Sequence, residues 1–187
     1  MSQSQAMRVL TSHASAEWYT PPHYVNLARE VLGGIDLDPA SSPTAQTWIQ
    51  AARYFTEADD GLSHEYHGRV WLNPPYGVER GKSRQALWAE KLEAEYLAGR
   101  VAAAVLLVNS THGYSWYERL WSRWPVCLAQ HRICFLRPDG TSGGPAKRGQ
   151  TFVYFGPNVA RFMSVFGCVG RVLRPDTLTY PDAAPAR

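Results

Sequence analysis

The sequence predicts an α/β protein built on a doubly wound, mostly parallel sheet with an antiparallel hairpin at its edge. Three observations carry this. Strand-like and helix-like runs alternate through most of the chain, as in successive βα units. The run VAAAVLLVN, from 101 to 109, is almost uninterruptedly apolar, as a central parallel strand buried on both faces would be. The runs RICFL and QTFVYFG, separated by RPDGTSGGPAKRG, read as two strands joined by a Gly-rich basic loop.

The elements follow in order. Residues 1–15 are polar and aperiodic, an expected flexible arm. In EWYTPPHYVNLAREVLGG, Thr20 suits an N-cap and Pro21 the first helical position; Val25, Ala28 and Leu32 share a face, and Gly33-Gly34 stops the helix. GIDLDPASS reads as a short strand with Asp36 and Asp38 on one side, and a helix is expected to begin near Pro43. ARYFTEADDGLS fits a brief strand or a loop, with Asp59 and Asp60 at its tip. GRVWLN is a strand that runs into Asn73-Pro74-Pro75-Tyr76. SRQALWAEKLEAEYLAG is an amphipathic helix on Trp88, Leu92 and Tyr96, and GYSWYERLWSRW another on Trp116, Leu120 and Trp124. VCLAQ is a strand, NVARFMSVFG a short helix and CVGRVL a last strand. Residues 16–173 are expected to form one domain and 174–187 a flexible tail.

Composition agrees with a single core. The 187 residues are 45% hydrophobic, ample for one compact domain and short for two. Seven Trp and ten Tyr are many for this length; some are expected in the core, and a surplus of flat rings is also what a protein that stacks on bases would carry. A net charge of +3 and a pI near 8.8 permit a polyanionic partner without demanding one. The three cysteines lack C-x-x-C spacing and are expected as reduced thiols of a cytoplasmic protein, without disulfides. His64 and His67 lack a third ligand, so no metal is expected. No apolar run approaches 18 residues and no signal peptide opens the chain, so no membrane association is expected.

The corner Asn73-Pro74-Pro75-Tyr76 is the chemical clue. Two prolines remove two donors and fix two φ angles, so the strand ends on a stiff, extended bend. An exocyclic amine on a planar base is a poor nucleophile because its lone pair is delocalised into the ring. Two acceptors aimed at its hydrogens, the Asn73 side-chain oxygen and the Pro74 carbonyl, would favour a tetrahedral nitrogen and free that pair. Pro75 locks the carbonyl's direction and Tyr76 would stack on the base. The alternative is a Pro-rich turn with Tyr76 as packing.

N-P-P-Y after a strand resembles the catalytic motif of adenosylmethionine-dependent amino-methyltransferases. WYTPP is similar to the cofactor segment ahead of the first strand in adenine-N6 enzymes, and DLDPAS to the acidic loop after that strand. Together with DDGL, in this order, they most resemble the small phage-type DNA N6-adenine methyltransferases, over roughly residues 17 to 156. The resemblance implies a Rossmann-like methyltransferase fold, S-adenosyl-L-methionine as cofactor, and double-stranded DNA as partner, in the cytoplasm of a bacterial cell or phage-infected host. It places Trp18, Tyr19, Thr20, Pro21, Asp38, Pro39, Ala40 and Ser41 around the cofactor. Asp59 or Asp60 would accept from its adenosine, or form a solvated turn. Asp38 can equally cap a helix, and Trp18 can be core. Phe135 sits where related enzymes face the flipped base with an aromatic, though a core Phe fits as well. Arg80, Lys82 and Arg84, with Lys147 and Arg148, flank the proposed pocket as phosphate contacts or as ordinary surface charge. Methylation of RNA or of a protein glutamine, and an inactive nucleic-acid-binding module, are the alternatives. The loop DPASSPTAQ lacks the superfamily's G-x-G turn, leaving Ser41 or Ser42 for that contact, and the region between Asp38 and Asn73 is abbreviated.

Overall fold

The computed structural model describes residues 18–79 and 81–175. The expected arm over 1–15, the tail beyond residue 175, and Arg80 lie outside them. Among the described residues, eleven strands occur: β1 (Leu37–Asp38), β2 (Arg53–Tyr54), β3 (Gly68–Leu72), β4 (Val78–Glu79), β5 (Lys82–Ser83), β6 (Val101–Asn109), β7 (Val126–Ala129), β8 (Cys134–Leu136), β9 (Ser142–Pro145), β10 (Gln150–Phe155) and β11 (Gly170–Leu173). Five helices accompany them: α1 (Pro22–Leu32), α2 (Pro43–Ile49), α3 (Arg84–Leu97), α4 (Ser115–Arg123) and α5 (Val159–Phe166).

The central sheet has seven strands in the order β11-β7-β10-β6-β3-β1-β2. Pairings among β2, β1, β3 and β6 are parallel, and those of β10 with β6 and β7, and of β11 with β7, are antiparallel. Strand β7 therefore runs with the parallel set, and only β10 and β11 oppose it. The doubly wound, mostly parallel sheet is the fold expected, but the hairpin expected between RICFL and QTFVYFG does not form: β8 pairs with β9 in a separate two-stranded sheet, and β10 lies between β6 and β7. It is a Rossmann-like α/β fold.

Alternation along the strands builds two cores. In β6, Ala104, Leu106 and Val108 face one way with Val70 and Leu72 of β3, against Trp88 and Leu92 of α3 and Tyr117 and Leu120 of α4. Val105 and Leu107 face the other way with Trp71, against Val25 and Ala28 of α1, Ile49 of α2 and Phe162 of α5. Each Val, Leu, Ile or Phe among them contributes about 1.5–3 kcal/mol by leaving water. Buried acids tie the helices: Glu93 accepts from Trp124 Nε1 at 3.0 Å and pairs with Arg119 and Arg123 at 3.2 and 3.3 Å. At the amino ends of the strands, Asp36 takes the Arg69 backbone N–H and guanidinium at 2.6–2.8 Å. These bonds hold the Asp36 carboxyl below its ordinary range.

Local differences from the sequence reading have physical causes. Helix α1 starts one residue later than expected, with Pro21 as N-cap and Pro22 at the first helical position. Thr20 does not cap it, because its hydroxyl is bonded to Asn73. The segment read as a loop before QTFVYFG contains β9, which pairs with β8, while β10 enters the central sheet. Helix α4 buries Tyr117 and Leu120; Trp124 lies just beyond its end.

Candidate active site

The carboxyl ends of β1 and β3 lie side by side; β1 ends on Asp38, and β3 runs into Asn73. Ligands of open α/β sheets bind beyond such ends. The segment Trp18–Pro21 crosses above them. Tyr19 exchanges backbone hydrogen bonds with Leu136 of β8, at 2.9 and 2.8 Å. Trp18 lies so close to Gly143 of β9 that a Cβ there would stand 1.9 Å from its ring. This close approach explains a glycine in a strand, the feature that hides β9 in the sequence.

Around Asn73 the arrangement is specific. Asn73 Nδ2 donates to Thr20 Oγ1 at 3.1 Å, while Asn73 Oδ1 is buried and takes no hydrogen bond among the described residues. Thr20 is itself fixed, since its carbonyl accepts from Trp48 Nε1 at 3.1 Å. Pro74 is buried, and Pro75 and Tyr76 are half-buried. Tyr76 meets Phe135 edge-to-face with centroids 6.1 Å apart, and burial pushes the Tyr76 hydroxyl's pKa up. The corner thus carries a buried acceptor without a partner, and its Tyr76 packs against Phe135.

Asp38 is 1% exposed. Burial raises its carboxyl to about 7, against the opposing hydrogen bonds from Ser41, the Ala40 N–H and Gln46. Gln46 Nε2 reaches both Asp38 Oδ2, at 3.0 Å, and Ser41 Oγ, at 2.8 Å. Ser42 caps α2 through the Ala45 N–H and donates to the Tyr19 hydroxyl at 3.1 Å. No cation pairs with Asp38 among the described residues. A buried acid of this kind either keeps its proton or ionises against a cationic ligand. Ser42 was among the residues expected near the cofactor, whereas Gln46 and Trp48 belong to no motif, and only their place on the helix after DLDPAS offered a signal.

The other expected residues divide. Asp59 accepts from Thr56 N and Oγ1 at 2.8 and 2.7 Å, closing an exposed turn, and these bonds lower its pKa. Asp60 is exposed at φ +48°. The turn is pressed onto the acidic loop through Gly61, where a Cβ would stand 2.0 Å from the Pro39 carbonyl oxygen. Gly61→Ala is therefore expected to overpack by about 1–3 kcal/mol, lowering Tm by roughly 2–12 °C at this length. A melt shifted by less than about 1 °C would show that the two loops part freely. Phe135 is buried. Lys82, Lys147 and Arg148 are exposed, and Arg84 is half-buried with Glu79 at 3.8 Å.

Residues 9–164 match the family model for DNA N-6-adenine-methyltransferase (Dam). The chain belongs to this family. Dam-family membership implies DNA adenine N6-methyltransferase activity, and it agrees with the free acceptor at the Asn-Pro-Pro-Tyr corner. No curated protein and no solved structure matches the chain. Among the described residues of this Dam-family chain, no helix is long and apolar enough to cross a membrane, and no group of three or more His, Cys, Asp or Glu could hold a metal ion.

Proposed function

We propose that the chain transfers a methyl group from S-adenosyl-L-methionine to N6 of adenine in double-stranded DNA, on a base turned out of the helix. The observation that carries this reading is Asn73: one end of its amide is held by Thr20, and the other is a buried acceptor with no partner. When bound, the cofactor supplies an electrophilic methyl on a sulfonium. Asn73 Oδ1 and the Pro74 carbonyl would accept hydrogen bonds from the two amine hydrogens and localise the nitrogen lone pair towards that methyl. The C–S bond would break to leave a neutral thioether, and the methylated nitrogen would release its extra proton to water, with no strong base needed. Tyr76 and Phe135 would hold the ring, and extrusion of the base would cost a few kcal/mol of unstacking.

The residues on the other side fit the cofactor. Asp38 would hold its ammonium, oriented by Gln46 and Ser41, and Trp18, Tyr19, Pro21, Pro39 and Ala40 would shape the wall. Asp60, whose side chain takes no part in the turn that Asp59 closes, is the better placed of the two for the ribose. Arg80, Lys82, Arg84, Lys147 and Arg148 would contact phosphate. Replacing Lys147 and Arg148 together with Ala is expected to weaken DNA binding at low salt. It should also flatten the log–log salt dependence by about one unit per lost contact, with cofactor affinity unchanged. An unaltered slope would route the DNA over Lys82 and Arg84 instead. Methyl transfer from labelled cofactor, compared across DNA, RNA and protein, tests the activity itself.

A further inference from the structure

The ladder between β3 and β6 stops where the corner begins, and the way it stops singles out one more residue. Its register runs Val70 with Ala104, Trp71 with Val105 and Leu72 with Leu106. On the other edge of β6, Asn109 lies opposite Gln150, and the Ser110 N–H donates to the Gly149 carbonyl at 2.9 Å. The alternation of an antiparallel ladder then turns the even-numbered groups of β6 towards β10 and the odd-numbered ones towards β3. In a parallel ladder an N–H reaches the carbonyl of the residue before its partner. Continuing the register sets Asn109 opposite Pro75, so its N–H would fall to the carbonyl of Pro74.

It does not go there. Pro74 has no N–H with which to continue the ladder, and the Asn109 N–H donates instead to Gln85 Oε1 at 3.3 Å. The Pro74 carbonyl accepts no backbone hydrogen bond among the described residues. Gln85 lies in the first turn of α3, which follows the corner after the β4–β5 pair, and is 3% exposed. Its Nε2 is buried without a partner. A buried amide with one end unsatisfied is destabilising relative to an apolar side chain of the same size, so packing does not account for a Gln here.

We propose that Gln85 is a positioning residue for methyl transfer: its side-chain carbonyl takes the Asn109 N–H and so leaves the Pro74 carbonyl free to accept from the target amine. This rests on the reading of the corner given above. Without that oxygen, the Asn109 N–H has the Pro74 carbonyl as its next acceptor, and the corner loses one of its two acceptors while keeping its shape.

The test compares Gln85→Met, Gln85→Leu and Gln85→Glu with the wild-type chain in one DNA methylation assay. Met and Leu remove the acceptor at similar volume, and whichever variant melts like wild type is the one scored. The expected result is a fall in kcat of roughly 10- to 100-fold, below the effect of losing a full transition-state contact. KM for DNA and calorimetric affinity for S-adenosylmethionine should stay unchanged. Glu, which keeps an oxygen at the same place, should recover most of kcat. Three outcomes overturn the proposal: wild-type kcat in the apolar variant, an equal loss in the Glu variant, or failure of both apolar variants to fold while Glu folds. Activity of the wild-type chain in the same assay reports on the functional reading separately, whatever the variants do.

Discussion

Asn73→Ala is expected to reduce methyl transfer to DNA by roughly 10²–10³ or more, the range seen when one preorganised transition-state contact is removed. Cofactor affinity should stay near wild type, because on the proposed reading Asn73 would meet the target amine at the end of β3, while the cofactor's ammonium would lie at Asp38, at the end of β1. The structure makes the prediction sharp. Asn73 Oδ1 has no hydrogen bond among the described residues, and Nδ2 donates only to Thr20, so truncating the side chain breaks nothing in the fold except the bond to Thr20. The loss should therefore fall on kcat, with a melting temperature shifted by only a few degrees. A variant with wild-type turnover would reduce the corner to a turn.

Asp38→Asn is expected to weaken S-adenosylmethionine binding by on the order of 10²-fold, as loss of one partner from a desolvated charge pair does. It should also remove a pH dependence. In the unfolded chain this carboxyl titrates near 4; in the folded protein burial raises it to about 7. Between those values the folded form keeps a proton that the unfolded form has lost. The group's contribution to stability is thus full below the unfolded value and declines as pH rises through 7. Binding a cation acts oppositely, since it favours the ionised carboxylate. Affinity should rise with pH up to about 7 and level off above it, with proton uptake by buffer detectable in calorimetry. The Asn variant should bind weakly and show no such slope. Unchanged affinity in a folded variant would leave Asp38 as an anchor for Gln46 and α2.

Much of this was legible in the sequence because periodicity and rigid corners are local signals. The apolar run of β6, Pro43 at the start of α2 and Gly33 in the left-handed conformation after α1 announce themselves. The Asn73 corner was legible for the same reason. What escaped the sequence depends on contacts between distant segments. Thr20 looks like a helix cap until β3 brings Asn73 to it, 53 residues away. Ser142-Gly143-Gly144-Pro145 looks like a loop, since Gly and Pro disfavour strands; Gly143 is there because the Trp18 ring lies against its Cα. Gln46 and Gln85 are ordinary helix residues by sequence, and only their hydrogen bonds to Asp38 and to the Asn109 N–H set them apart.

The central claim is that this corner methylates adenine N6 in DNA. The most direct measurement incubates the purified chain with methyl-labelled S-adenosylmethionine and DNA, RNA or protein in parallel, digests each product and identifies the labelled molecule by mass. The account predicts label in N6-methyladenine from DNA, abolished by Asn73→Ala. Label in RNA or glutamine alone, or in none of the three with cofactor and DNA both bound, would contradict it.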